Sequence, residues 1–112
     1  MTPREIQTLM RKFCYFRVSA ADGYHHLIKE NVLDVNLVDS LIREYVGTKD
    51  VIVYASSHQC ALVSCTEAYE LICEYRRNDA SATVQVVASD FSGRVMVEPI
   101  GTGVGEHRKV LF

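Results

Sequence analysis

The residue pattern predicts an α+β domain: a mainly antiparallel sheet of about six strands with three helices on one face. Three observations carry this expectation. Apolar residues recur at i, i+3, i+4, i+7 in three separate stretches, Ile6/Leu9/Met10/Phe13, Val38/Leu41/Ile42/Tyr45 and Ala68/Leu71/Ile72/Tyr75, and that spacing lines one side of a helix. Short runs that alternate, or that are almost continuously apolar, lie between and beyond them, as strands require. The breaks between successive strands are short and rich in turn formers, for example Asp90-Phe91-Ser92-Gly93, so the strands they join should be antiparallel neighbours.

The first helix starts with a mechanism. Thr2 can accept from an exposed amide, Pro3 fits the first helical position and Glu5 can reach back, so a helix is expected up to Phe13. Residues 14–19 then alternate, with Cys14, Phe16 and Val18 on one side and Tyr15, Arg17 and Ser19 on the other. Ala21-Asp22-Gly23 supplies a turn, and residues 24–29 are read as the returning strand, with a helix start as the competing reading. Asp34 and Asn36 both suit the N-cap of the second helix, which Gly47 ends at a left-handed position.

A nearly continuous apolar run at 51–55 should form a strand covered on at least one face, and 60–64 the next, after a polar break at 56–59. Ser64 and Glu67 have capping-box spacing, with Thr66 as a rival cap, and the third helix follows; Arg76 and Arg77 near its end suit the helix dipole. Residues 82–89 and 94–98 alternate as two further strands. The glycines at 101, 103 and 105 read as a flexible lead into a short terminal strand at 107–112. From residue 24 onward the order is strand-helix-strand-strand-helix-strand, which is that of a ferredoxin-like split βαβ core.

A chain of 112 residues fits a single domain, residues 1–112, and a hydrophobic fraction of 48% with 23% charged residues suits a packed core. The formal charge of −2 supplies no positive field for nucleic acid or anionic lipid. No apolar run is long enough to cross a bilayer, and Met1-Thr2-Pro3-Arg4-Glu5 lacks the build of a secretion signal, so the expected location is cytoplasmic. Cys14, Cys60, Cys65 and Cys73 sit in apolar segments and are expected as reduced, packed thiols rather than a disulfide framework.

Several groupings could carry chemistry. His58, Cys60, Cys65 and Cys73 supply zinc-ligand types, but Cys60 and Cys65 would face opposite ways on one continuous strand and no Cys-x2-Cys knuckle is present, so no metal is expected. Cys65 at a helix start could be an activated nucleophile if an imidazole lay within reach. Gly101-Thr102-Gly103-Val104-Gly105 resembles a phosphate loop but lacks the helix such a loop needs after it. Adjacent His25 and His26 point to opposite faces of a strand, and Glu67, Glu70 and Glu74 fall on the side of their helix away from the apolar stripe. No cofactor is expected.

The remaining candidate is the sheet face opposite the valines. It collects Tyr15, Arg17, Gln85, Arg94 and Met96, with Thr83, Val87 and Glu98, and Tyr, Arg and Met are residue types enriched at interface cores. The function read from the sequence is therefore a small protein-binding regulator or inhibitor, non-enzymatic, acting through a preformed sheet or helix surface on a protein partner or as a homodimer. The alternatives are a small enzyme built on Cys65 and single-stranded nucleic-acid binding through the same face, the latter opposed by the charge balance and by the absence of an aromatic recognition motif.

Overall fold

The structure is a computed structural model that describes residues 1–13 and 24–107. Helix α1 (Pro3–Phe13) opens as its first residues require: the Glu5 amide donates to Thr2 Oγ1 at 3.2 Å, and that hydroxyl donates to Glu5 Oε1 at 3.1 Å. The expected strand at 14–19, with its turn at 21–23, lies outside the described residues. The segment after it does not run as one strand. It forms β1 (His25–His26) and β2 (Ile28–Lys29), and a strand that the periodicity does not announce follows, β3 (Val32–Leu33).

The change of direction at Leu27 has a physical cause. Its side chain is buried, its amide donates to Gly101 O at 2.9 Å and its carbonyl accepts from the Asp34 amide at 2.8 Å. Asp34, rather than Asn36, caps α2 (Val35–Tyr45) by accepting from the Leu37 amide at 3.0 Å, and Gly47 at φ 84 ends it in the left-handed region. All four residues of the second apolar stripe are buried.

Strands β4 (Val51–Ser56) and β5 (Gln59–Val63) form a hairpin with a register shift near its tip. The capping box expected from Ser64 and Glu67 does not form. Cys65–Glu67 make a single 3₁₀ turn in which the Ser64 hydroxyl lies 2.9 Å from that of Thr66, and α3 (Ala68–Asn78) continues from it. Strands β6 (Val84–Ala88), β7 (Gly93–Val97) and β8 (Thr102–His107) complete the described residues. The glycines expected as a flexible lead are thus part of β8, for a reason given by α2. A Cβ at Gly105 would fall within the Tyr45 ring, and one at Gly103 would meet Leu27 and Leu41 side-chain carbons at 2.6 and 2.7 Å. Glycine lets the helix lie close to the strand. Of the terminal strand expected at 107–112, only His107 is described, as the last residue of β8.

The main sheet is entirely antiparallel in the order β1-β8-β7-β6-β4-β5, and β2 and β3 pair separately. Strands β5 and β6 run parallel on either side of β4 and are joined through α3, so one split βαβ unit is present. The complete ferredoxin-like order is not formed, because β1 pairs with β8 at the far edge instead of entering between the strands of that unit.

Two helices, not three, share one face. Helices α2 and α3 pack on Val51, Val53, Val84, Val86, Ala88, Val95 and Val97. Helix α1 crosses the opposite face, where Ile6 joins Ile52, Val87 and Phe91, with Leu9 and Met10 at the margin. The cause lies in β4 and β6, which are apolar on both faces and need cover on both. Phe91 reaches this second cluster from the β6–β7 turn with φ 60, a backbone region that non-glycine residues rarely adopt.

Candidate functional site

The structure brings together three of the five residues expected on a docking face. Gln85 pairs with Met96 across β6 and β7, Val87 pairs with Arg94, and Arg94 pairs with Glu106 on β8, so all five share one face by register. Tyr15 and Arg17 lie outside the described residues. Gln85, Arg94 and Met96 are only part-exposed, and the first two are engaged with their own molecule. Arg94 Nη1 donates to Gln85 Oε1 at 3.1 Å and Nη2 to Glu106 Oε2 at 3.2 Å, with side-chain exposures of 13% for Arg94 and 0% for Glu106. Thr83 Oγ1 donates to Glu98 Oε2 at 3.1 Å, and Val87 is buried. This face spends its polar groups internally.

The cysteines fall on different layers. Cys60 packs against the α1 cluster and burial pushes its thiol pKa up, which lowers the fraction of reactive thiolate at neutral pH. Cys65 and Cys73 pack against the main core. Burial also raises the Tyr69 phenol beside Cys73. For Cys65 the imidazoles are badly placed. His58 is at the β4–β5 turn, separated from Cys65 by the length of β5, about 13 Å at ~3.3 Å per residue, while His25, His26 and His107 are four or five strands away at ~4.8 Å per strand. Among the described residues no group of three or more His, Cys, Asp or Glu side chains is arranged to hold a metal ion, and no helix is long and apolar enough to cross a membrane.

A different feature stands out at the end of the molecule formed by residues 24–37 and the β7–β8 turn. Glu30 and Asn31, at φ 53 and 66, make the two-residue turn that joins β2 to β3; positive φ at both central positions matches the twist of a tight hairpin. Register places Ile28 opposite Leu33 and Lys29 opposite Val32. Leu33 turns inward with Leu27, and its carbonyl accepts from Tyr69 Oη at 2.6 Å, which fixes the hairpin on α3. Several of the outward residues are apolar: Val32 is 63% exposed, Tyr24 71%, and Ile28, Val35 and Leu37 are also exposed, between the exposed polar residues His26, Lys29, Glu30, Asn31 and Asn36.

Ile100, 81% exposed, joins them from the β7–β8 turn. That turn is closed by the Gly101 amide donating to Glu98 O at 2.9 Å, with Gly101 at φ 91, and Arg76 donates to the Glu98 and Pro99 carbonyls at 2.8 and 3.3 Å. A Cβ on Gly101 would strike Ile28 Cγ1, so the bare glycine lets the hairpin lie against the turn. Between hairpin and α3 runs an open depression lined by Ile28, Val32, Leu33, Tyr69, Arg76 and Arg77, among others. Lys29 and Arg77 are exposed beside it and form no ion pair among the described residues.

Sequence reasoning passed over this surface. The clues were Val32 directly after the polar run Lys29-Glu30-Asn31 and an isoleucine between Pro99 and Gly101, where a turn tip ordinarily carries polar residues. Comparison of the chain with protein-family models, with curated protein sequences and with solved structures finds no match.

Proposed function

We propose that this chain is a protein-binding module, non-enzymatic and regulatory in its action, that docks a partner protein through the apolar end built by residues 24–37 and Ile100. The occupant is an apolar segment of the partner flanked by acidic side chains. The observation that carries this reading is the clustering of exposed apolar groups: five of the eight large hydrophobic side chains exposed among the described residues come from residues 24–37, and Ile100 is a sixth neighbour across Gly101. Fully burying a side chain such as valine or isoleucine contributes about 1.5–3 kcal/mol. Exposed apolar side chains gathered in one segment mark an interaction site; Ile28 and Val32 line the depression beside α3, and Lys29 and Arg77 at its margin favour carboxylates in the partner.

The hairpin and turn are held by backbone and side-chain hydrogen bonds, so little conformational freedom is lost on docking. Selection from a random displayed-peptide library tests the reading. Enriched peptides should carry aliphatic residues next to Asp or Glu, and Val32→Asp or Ile100→Asp, both at exposed positions, should weaken them at least tenfold while circular dichroism stays unchanged. Peptides without acidic residues, binding that ignores both substitutions, or a doubled solution mass abolished by Val32→Asp would reject the stated partner, the last in favour of a second copy of the chain.

A further inference from the structure

We infer that the free edge of β5 is a second binding site, one that takes an extended basic segment of another protein as an added strand. Among the described residues no strand pairs with the outer edge of β5, which ends the sheet. Edge strands normally protect themselves with charge, proline or a bulge along their length. Gln59-Cys60-Ala61-Leu62-Val63 has no charged residue and no proline, and the irregularity of the hairpin is confined to its tip near Tyr54 and Ser56. Every second residue of such an edge presents an N–H and a C=O to whatever lies beside it.

The edge lies in a trough. Helix α1 packs beside β5 on one face, and on the other face a depression beside α3 is lined by Ala61, Val63, Leu71, the three carboxylates of Glu67, Glu70 and Glu74, and one cation, Arg77, so that acidic groups outnumber basic ones three to one. Glu67, Glu70 and Glu74 are exposed and form no ion pair among the described residues. A strand added to β5 sets alternate side chains over this depression, so lysine or arginine at every second position would meet the three carboxylates while its backbone completes the ladder. The charge pattern also argues against a second copy. Two chains joined β5 to β5 about a two-fold axis normal to the sheet would set their two rows of α3 carboxylates side by side, and like charges so placed repel.

The test uses the full chain and three fluorescent hexapeptides: alternating Lys-Val, alternating Glu-Val, and the Lys-Val peptide N-methylated at alternate amides. The Lys-Val peptide should bind with an affinity that falls as salt rises, protect β5 amides from hydrogen exchange, and lose at least tenfold in Glu70→Lys/Glu74→Lys, whose positions are exposed on a helix. The N-methylated peptide, equal in charge but deprived of donors, should bind at least tenfold more weakly. Equal binding of the N-methylated peptide would reduce the effect to charge alone and overturn strand addition; equal binding of the Glu-Val peptide would overturn the basic occupant; a dimer in the absence of peptide, dispersed by Leu62→Lys, would assign the edge to a second copy. Val32→Asp should leave Lys-Val binding unchanged, which separates this site from the apolar end.

Discussion

The sheet is built as two halves that solve the same packing problem in opposite ways. In the β4–β5–β6 half, valine and isoleucine fill both faces: Val51, Val53, Val84, Val86 and Ala88 on the side of α2 and α3, with Ile72 above them, and Ile52 and Val87 under α1. In the β7–β8 half, glycine replaces bulk. Gly93, Gly103 and Gly105 line the face under α2, where Tyr45 closes on the strands and its ring meets that of His107 with centroids 4.9 Å apart. The opposite face of that half carries the buried Arg94–Glu106 pair, and Glu106 Oε1 has no hydrogen-bond partner among the described residues. One half is held by aliphatic volume on both sides, the other by glycines set opposite Val95 and Val97 on one side and a charge pair on the other. The first kind of packing can lose a methylene and adjust; the second has no space to give and depends on one charge for another.

Substitutions should expose this contrast. The largest effect is expected from Arg94→Met, which leaves the Glu106 carboxylate buried without its cation; removal of one member of such a pair costs about 3–5 kcal/mol, measurable by urea unfolding. Next is Gly105→Ala, whose methyl would occupy the place of the Tyr45 ring; overpacking costs about 3 kcal/mol at the upper end of its usual range. The double variant Gly105→Ala/Tyr45→Ala should cost less than the two single changes together, since the methyl then enters vacated space. In the aliphatic half, Ile72→Val should cost only about 1 kcal/mol. If Gly105→Ala proves milder than Ile72→Val, the contrast between the halves is wrong.

The smallest effect belongs to the turn that joins the halves. Lys49 Nζ lies 2.7 Å from Asp90 Oδ2, and that ammonium, with the Ser92 hydroxyl, holds the Asp90 carboxyl at about 2. A carboxyl lowered by folding adds stability that is fully present above its unfolded value near 3.9 and is lost as the pH falls through about 2. Both side chains are about half exposed, so the gain is under ~1 kcal/mol. Lys49→Ala should return Asp90 toward the ordinary carboxylate range in an NMR titration while changing stability little at neutral pH.

The two halves also differ in how far they can be read from the residue string. The aliphatic half is legible: the run at 51–55 and the stripe through Ile72 announce a covered strand and a helix, because volume and period are local properties. Gly103 and Gly105 read as a linker because their reasons lie far away in the chain, in Leu27 and Leu41 for the first and Tyr45 for the second. Phe91 read as loop material because a turn residue at positive φ gives no sign that its ring is core. The stripe on α1 showed that the helix has a buried side but not which face of the sheet receives it. The docking face read from alternation contained the right neighbours, Gln85, Arg94 and Met96, yet alternation could not show that Glu106 would claim the arginine. The apolar end around Val32 and Ile100 was unread because exposure is a tertiary property.

The pairing of β1 with β8 also bears on time. His25 meets Gly103 across nearly the whole described chain, while β4 with β5 and β6 with β7 pair through short turns. The entropy of loop closure makes distant pairings slow to form. The hairpins and α3 are therefore expected to order first and the β1 edge last, so the segment that carries Tyr24 and leads into the apolar end takes its place only when the far end of the chain has arrived.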